Sequence, residues 1–235
     1  MTKNPAAVVK QAKDDTLGAL PFDQDELDAI LLACRSIDKA ERNQLRARAL
    51  VLLLLYSGFR ISDAAQFRRR SLSLETRRFL VRTLKTGEHV MFILGEPAFK
   101  ALLALPIESE EYFFWSGAGE STLETCIKSP RRTLDALRRK TGINVHPHRF
   151  RDTFAVRLLE HDRPIRTVSR LLGHKSVVTT EKHYAHWVSS HQKLLDDAVS
   201  ALDFVSPASG GDDLLQDTLG NPESDVIAFP AKASS

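Results

Sequence analysis

The chain has 235 residues, 43% hydrophobic and 27% charged, an ordinary composition for a globular protein with room for one large domain or two small ones. The longest apolar run, residues 49–56, falls far short of the roughly 20 residues that span a bilayer. No signal-peptide core opens the chain, and two distant cysteines, Cys34 and Cys126, argue against a disulfide framework or a zinc site, so the reading is a cytoplasmic protein.

The net charge is only +3, yet residues 206–235 hold five acids and one base, leaving residues 1–205 with 32 bases against 25 acids. That excess is clustered at Arg68, Arg69 and Arg70, at Arg77 and Arg78, at Arg131 and Arg132, and at Arg138, Arg139 and Lys140. Such clusters suit phosphates, although most charged runs are solvated faces.

Along the chain, residues 1–21 read as a flexible leader ending at Pro21. Asp23 is placed to cap a helix with Glu26 at the capping-box position, and Leu27, Ile30, Leu31 and Cys34 then share one face. A second helix, Glu41 to Ser57, is apolar nearly all round in its later half and predicts the buried centre of the domain. Gly58 stops it, and Arg60 to Asp63 opens a short helix. The period then changes. Phe79 to Val81 and Val90 to Leu94 read as strands, with residues 85–88 as their turn. Helical patterns resume at residues 97–105, 121–140 and 150–160. Another begins at Pro164 and ends at Gly173, and a last one, residues 189–202, sets Leu194, Leu195, Ala198 and Leu202 on one face. Beyond Ser206, Pro, Gly, Ser and acidic residues predict a disordered tail. The expected class is α+β, mainly α-helical with one small antiparallel β-sheet and no internal repeat.

The run from His148 to Tyr184 is the most informative. It contains a His-x-x-Arg (His148 to Arg151), a Leu-Leu-Gly-His (Leu171 to His174) and a tyrosine among polar neighbours. An arginine, two imidazoles and a phenol suit metal-free attack on a phosphodiester: a cation neutralises the phosphate, imidazoles move protons and the phenol is the nucleophile. Tyr184 competes with Tyr56, which belongs to the apolar helix and is expected in the core, and with Tyr112, in a Tyr-Phe-Phe-Trp packing pattern. His174, His183 and His186 lack a carboxylate or cysteine at ligand spacing, which argues against a metal.

Five motifs in order, over residues 22–204, resemble the catalytic domain of the tyrosine recombinase (phage integrase) family. They are Tyr56 to Asp63, Lys85-Thr86-Gly87, His148 to Arg151, Leu171 to His174, and Thr179 to His186. The resemblance implies a catalytic domain over residues 22–205 that cuts and rejoins double-stranded DNA through a 3′-phosphotyrosyl link, without metal, cofactor or ATP. It makes Arg60, Lys85, His148, Arg151, His174 and Tyr184 the catalytic set. Arg60 and Arg151 would grip the phosphate, with Asp63 orienting Arg60. Lys85, on a mobile hairpin, would protonate the leaving 5′ oxygen. His148 would accept a proton or hydrogen bond beside the tyrosine, and His174 would bond a non-bridging oxygen.

Each residue also has a plainer reading. Arg60 would cap a helix and pair with Asp63, Lys85 would be an exposed turn lysine, His148 an N-cap, and His174 a C-cap. Arg68, Arg69, Arg131, Arg132, Arg138 and Arg139 are candidate contacts to the DNA backbone. The helix at 189–202 is a candidate for self-association on DNA, or else packs on its own domain. No membrane or small-molecule substrate is implied, and DNA binding would place the protein at the nucleoid.

Asp152 stands where a second histidine is common in the family, and the spacing from His174 to Tyr184 is one residue longer than usual. Only about 21 residues precede the domain, too few for the family's N-terminal clamp, so a minimal recombinase or a catalytic fragment is expected. Two alternatives stay open: a recombinase-derived module that binds DNA without cutting it, and a type IB topoisomerase-like enzyme.

Overall fold

The structure, a computed structural model, describes residues 20–115, 123–184, 187, 199 and 200. Asp23 caps α1 (Gln24–Cys34) as its sequence predicts: its carboxylate accepts from the Glu26 amide at 2.7 Å while the Glu26 carboxylate accepts from the Asp23 amide at 3.2 Å. Leu27, Ile30, Ala33 and Cys34 are buried. Burial pushes the Cys34 thiol up to about 12, and both cysteines are free.

Helix α2 (Glu41–Ser57) is the centre of the domain. Ala47 and every residue from Ala49 to Leu54 are buried, and α1, α4 (Glu96–Leu103) and α6 (Pro147–Glu160) pack around it. Tyr56 departs from expectation, being 39% exposed. It sits at the rim of the domain over Gly95, where any β-carbon would run into its ring. The apolar run continues past the turns that neighbouring helices cover, and a tyrosine at that edge keeps an apolar body against protein.

After α2 come the short α3 (Ile61–Ala65) and the hairpin of β1 (Arg78–Arg82) and β2 (His89–Ile93). The strands pair antiparallel with Leu80 opposite Met91. Phe79 and Val90 point into the core while Leu80, Met91 and Ile93 lie on the outer face. The alternation of side chains along a strand forces that division. Tyr112 is buried, as its pattern predicts, and bridges Arg68. Helices α5 (Leu123–Thr141) and α7 (Ile165–Leu171) and a helical stretch at 177–184 complete the domain.

Helix α6 starts three residues earlier than expected. His146 is its N-cap, its Nδ1 accepting from the His148 amide at 3.3 Å, and Pro147 opens the first turn. His148 therefore lies inside the helix instead of capping it. Arg149 ties this end to the start of α1. Its guanidinium forms two bonds to Glu26, at 3.0 and 2.6 Å, and lies 4.1 Å over the Phe22 ring. The main core runs from Phe22 to Phe150, and a second cluster gathers Ala155, Val156, Leu159, Val168, Leu172 and Tyr184. These elements belong to the unit Met1–His191; Val199 and Ser200, both helical, fall in a second unit, Gln192–Ser235. Most of the expected leader, most of the helix at 189–202 and the whole tail lie outside the described residues.

Candidate active site

The site is assembled from five parts of the fold: the junction of α2 and α3, the turn of the hairpin, the first turns of α6, the turn after α7 and the helical stretch at 177–184. Gly58 ends α2 in the left-handed region, φ +61°, a conformation costly for any side chain. A β-carbon there would also lie 2.5 Å from Phe154 Cδ1 on α6. The glycine thus lets α6 approach, and its carbonyl accepts from Arg151 Nη1 at 2.7 Å. Two residues on, Arg60 is the N-cap residue that precedes α3. Arg151 is 6% exposed, and its Nη2 donates to the Leu172 carbonyl at 2.6 Å and to His174 Nε2 at 2.9 Å. Burial first, then the nearby Arg60 charge, lowers Arg151 to about 10, which still leaves it a cation at neutral pH.

A guanidinium only donates, so His174 Nε2 accepts and the neutral ring carries its proton on Nδ1. That nitrogen lies 2.8 Å from Thr180 Oγ1, a hydroxyl with no exposure. Desolvation, then the charges of Arg151 and Arg60, lower His174 to about 4. Both ring nitrogens are engaged by the protein. In this arrangement His174 holds Arg151; the family resemblance implies a bond to a non-bridging phosphate oxygen.

Asp63 also acts differently from expectation. It is 3% exposed, and its Oδ1 accepts from the Leu84 amide at 2.9 Å. It forms no ion pair with Arg60 among the described residues, although the two charges sense each other. Asp63 therefore holds the hairpin that carries Lys85, and Arg60 Nη1 is buried with no hydrogen-bond partner among the described residues. Further tethers fix the same hairpin. The Thr86 hydroxyl donates to the Gly173 carbonyl at 2.8 Å, and Gly173, at φ +62°, leaves room for Thr83 and Val90, whose methyls would lie 2.9 Å from a β-carbon. The expected mobile hairpin is thus stitched to α3 and to the turn after α7.

Tyr184 is 3% exposed, its ring in the second core cluster, and its hydroxyl donates to Asp152 Oδ1 at 2.9 Å. Burial and then the adjacent Asp152 carboxylate push the phenol well above its ordinary value. Burial likewise raises Asp152. His148 is lowered, first by desolvation and then by neighbouring His146. A cavity of about 330 Å³ is lined by all six expected catalytic residues, Arg60, Lys85, His148, Arg151, His174 and Tyr184, with Thr86, Asp152, Lys175, Thr179 and His183. His186 lies outside the described residues.

The candidate backbone contacts divide. Arg131 and Arg138, one face of α5, line a second cavity with His146 and His148, and Arg132 and Arg139 are exposed on the same helix. Arg68 and Arg69 are engaged internally instead. Arg68 pairs with Glu111 at 3.0 Å, and Arg69 donates to the Ser109 carbonyl at 2.9 Å and covers the Phe113 ring at 4.7 Å. No sequence motif marks Thr180 or Thr86 for a role, and Asp152 stands out in the sequence only as a departure from the family pattern. The run of arginines carries no sign of which ones face protein.

Two guanidinium groups, one of them unsatisfied, beside a lysine and a buried phenol make a site for binding a tetrahedral oxyanion and attacking it with an oxygen nucleophile. The chain belongs to the phage integrase family, whose model matches residues 21–191. It is similar to the tyrosine recombinase XerA of Pyrococcus furiosus, 28% identical over 179 residues that cover 75% of this chain and 61% of that protein. It is also similar to a tyrosine recombinase of Agathobacter rectalis, 34% identical over 163 residues, covering 65% and 51%. Among solved structures, its fold matches XerA recombinase with a TM-score of 0.58 at 24% identity, covering 76% of this chain and 66% of that one. It matches the Tn1549 transposon integrase, solved with transposon right-end DNA, with a TM-score of 0.58 at 18% identity, covering 80% and 69%. The chain spans about half to three-fifths of the length of the curated relatives it matches.

Proposed function

We propose that the chain is a site-specific DNA recombinase that cleaves and rejoins strands through a phosphotyrosyl intermediate on Tyr184. The observation that carries this reading is the buried, unpartnered Arg60 Nη1 in the same cavity as Arg151 and Tyr184. An unsatisfied buried donor costs about 1–3 kcal/mol, and a non-bridging phosphate oxygen would complete it. Arg60 and Arg151 then offset the charge that builds on a pentacoordinate phosphorus, each such fixed donor contributing about 3 kcal/mol. Tyr184 Oη attacks phosphorus and the 5′ oxygen leaves with a proton from Lys85, held at the cavity by Asp63 and Thr86. The phosphotyrosyl ester conserves the energy of the broken one, so rejoining needs no ATP. Neutral His174 keeps Arg151 in place.

Double-stranded DNA is the proposed partner, its backbone running along the Arg131, Arg132, Arg138 and Arg139 face of α5. Self-association on DNA is proposed through residues 189–202. The Tn1549 integrase was solved in complex with transposon right-end DNA and the XerH site-specific recombinase bound to a palindromic difH substrate, which supports the choice of partner. No helix among the described residues is long and apolar enough to cross a membrane.

The test is a nicked suicide duplex taken from the DNA flanking the gene. Wild type should form a covalent adduct that Tyr184→Phe abolishes; adduct in Tyr184→Phe would refute the nucleophile assignment. Absence of adduct in wild type would favour a binding module, and relaxed circles without recombinant joints a topoisomerase.

A further inference from the structure

The phenol that attacks must lose its proton, and the surroundings of Tyr184 hold that proton firmly. Its hydroxyl is buried and hydrogen-bonded at 2.9 Å to one acceptor, Asp152 Oδ1. His148, the residue expected to take the proton, makes no hydrogen bond to Tyr184 among the described residues. Its backbone amide caps onto His146, and its ring stacks on that histidine at 5.5 Å. Asp152 lies half-buried on α6, one residue after Arg151 and one turn after His148, so a single helix presents a phosphate ligand and a carboxylate to the same cavity.

We propose that Asp152 is the catalytic proton acceptor for Tyr184. The inference rests on Tyr184 being the nucleophile. As Tyr184 Oη bonds to phosphorus, its proton passes along the existing hydrogen bond to Asp152 Oδ1. The bond from phosphorus to the 5′ oxygen breaks, and that oxygen takes a proton from Lys85. In rejoining, an incoming 5′ hydroxyl gives its proton to Lys85 and Asp152 returns its own to the phenolate, so each step balances.

The groups facing Asp152 fit this role. His148 and Arg151 on its own helix and His183 beside the tyrosine are the charged or titratable neighbours besides Tyr184 itself. Burial outweighs them and makes the carboxylate a stronger base than a solvated one. The same carboxylate, while unprotonated, keeps the phenol neutral until a phosphate between the two arginines stabilises the forming bond.

The experiment compares wild type, Asp152→Asn and Asp152→Ala in single-turnover adduct formation across pH, on the suicide duplex that wild type cleaves. Asparagine keeps a hydrogen-bond acceptor at the phenol and removes the base. Asp152→Asn should cleave roughly 100-fold more slowly with unchanged duplex affinity. It should also lose the rise in rate that wild type shows as Asp152 deprotonates. A 5′-bridging phosphorothiolate duplex, whose sulfur departs without a proton, should leave the Asp152→Asn deficit in place. A fluorinated, more acidic tyrosine at position 184 should recover part of the rate.

Faster cleavage by Asp152→Asn or Asp152→Ala would make Asp152 a latch that restrains Tyr184 and overturn the proposal. Rescue by the phosphorothiolate would place Asp152 on the leaving-group side and overturn it equally. A wild-type profile unchanged in Asp152→Asn would do the same. Absence of any Tyr184-dependent adduct in wild type would instead refute the parent reading, and this inference with it.

Discussion

Thr180→Val isolates the support beneath the phosphate-binding arginine. The substitution keeps the volume of a side chain with no exposure and removes the hydroxyl 2.8 Å from His174 Nδ1. The Nδ1 proton is then left without that partner, at a cost of about 1–3 kcal/mol. The ring can escape by moving its proton to Nε2, but Nε2 faces Arg151 Nη2 at 2.9 Å, and two donors would confront each other. That forfeits a charge-assisted bond of about 1.5–3 kcal/mol. Either way the variant should lose about 2 kcal/mol of stability in denaturant unfolding, and adduct formation should fall about 10-fold as Arg151 loosens. Nitrogen NMR of His174 reads the tautomer directly.

The pH dependence follows from the same ring. His174 is lowered from 6.5 to about 4 in the fold, so the unfolded chain takes up its proton first as the pH falls. The contribution to stability is complete above pH 6.5 and is lost on descending to about 4. Allowing for the ring's partial exposure, that loss is about 2 kcal/mol. Unchanged stability and an unchanged Nδ1 tautomer in Thr180→Val would refute the reasoning.

Two further outcomes are expected. Gly173→Ala places a β-carbon 2.9 Å from the Thr83 and Val90 methyls at φ +62° and should cost about 2 kcal/mol or more, read as a lowered Tm, with adduct formation falling because the hairpin is pushed from the site. Arg138→Gln should weaken duplex binding at all sequences and reduce the slope of log affinity against log salt by about 1, whereas Arg69→Gln should leave that slope unchanged and lower stability.

The reach of the sequence differs from residue to residue. The Asp23 and Glu26 capping box, the buried middle of α2, the hairpin and the stop at Gly58 were legible because each is set by local chemistry: a cap, a period, a turn residue. Tyr56 departs from its pattern because an apolar helix does not record where its neighbours stop covering it. The start of α6 is not legible in the sequence because histidine is an uncommon N-cap, and only the approach of the His146 ring to the His148 amide defines it. Arg68 and Arg69 resembled Arg131 and Arg138 in sequence, yet Glu111, Ser109 and Phe113, some forty residues away, claim the first pair.

By itself the sequence determined the kinds of chemistry available and their order: two arginines, two histidines, a lysine and a tyrosine in motifs whose spacing fits one family. It could not decide which of them touch. Arg151 reaches the carbonyls of Gly58 and Leu172 across 93 and 21 residues, Asp63 holds a hairpin instead of Arg60, and His174 serves Arg151. Tyr184 finds Asp152, the residue that departs from the family pattern. Those pairings depend on how α2, α6, α7 and the hairpin pack, because a hydrogen bond requires placement within a few tenths of an ångström. Only the folded core supplies that precision.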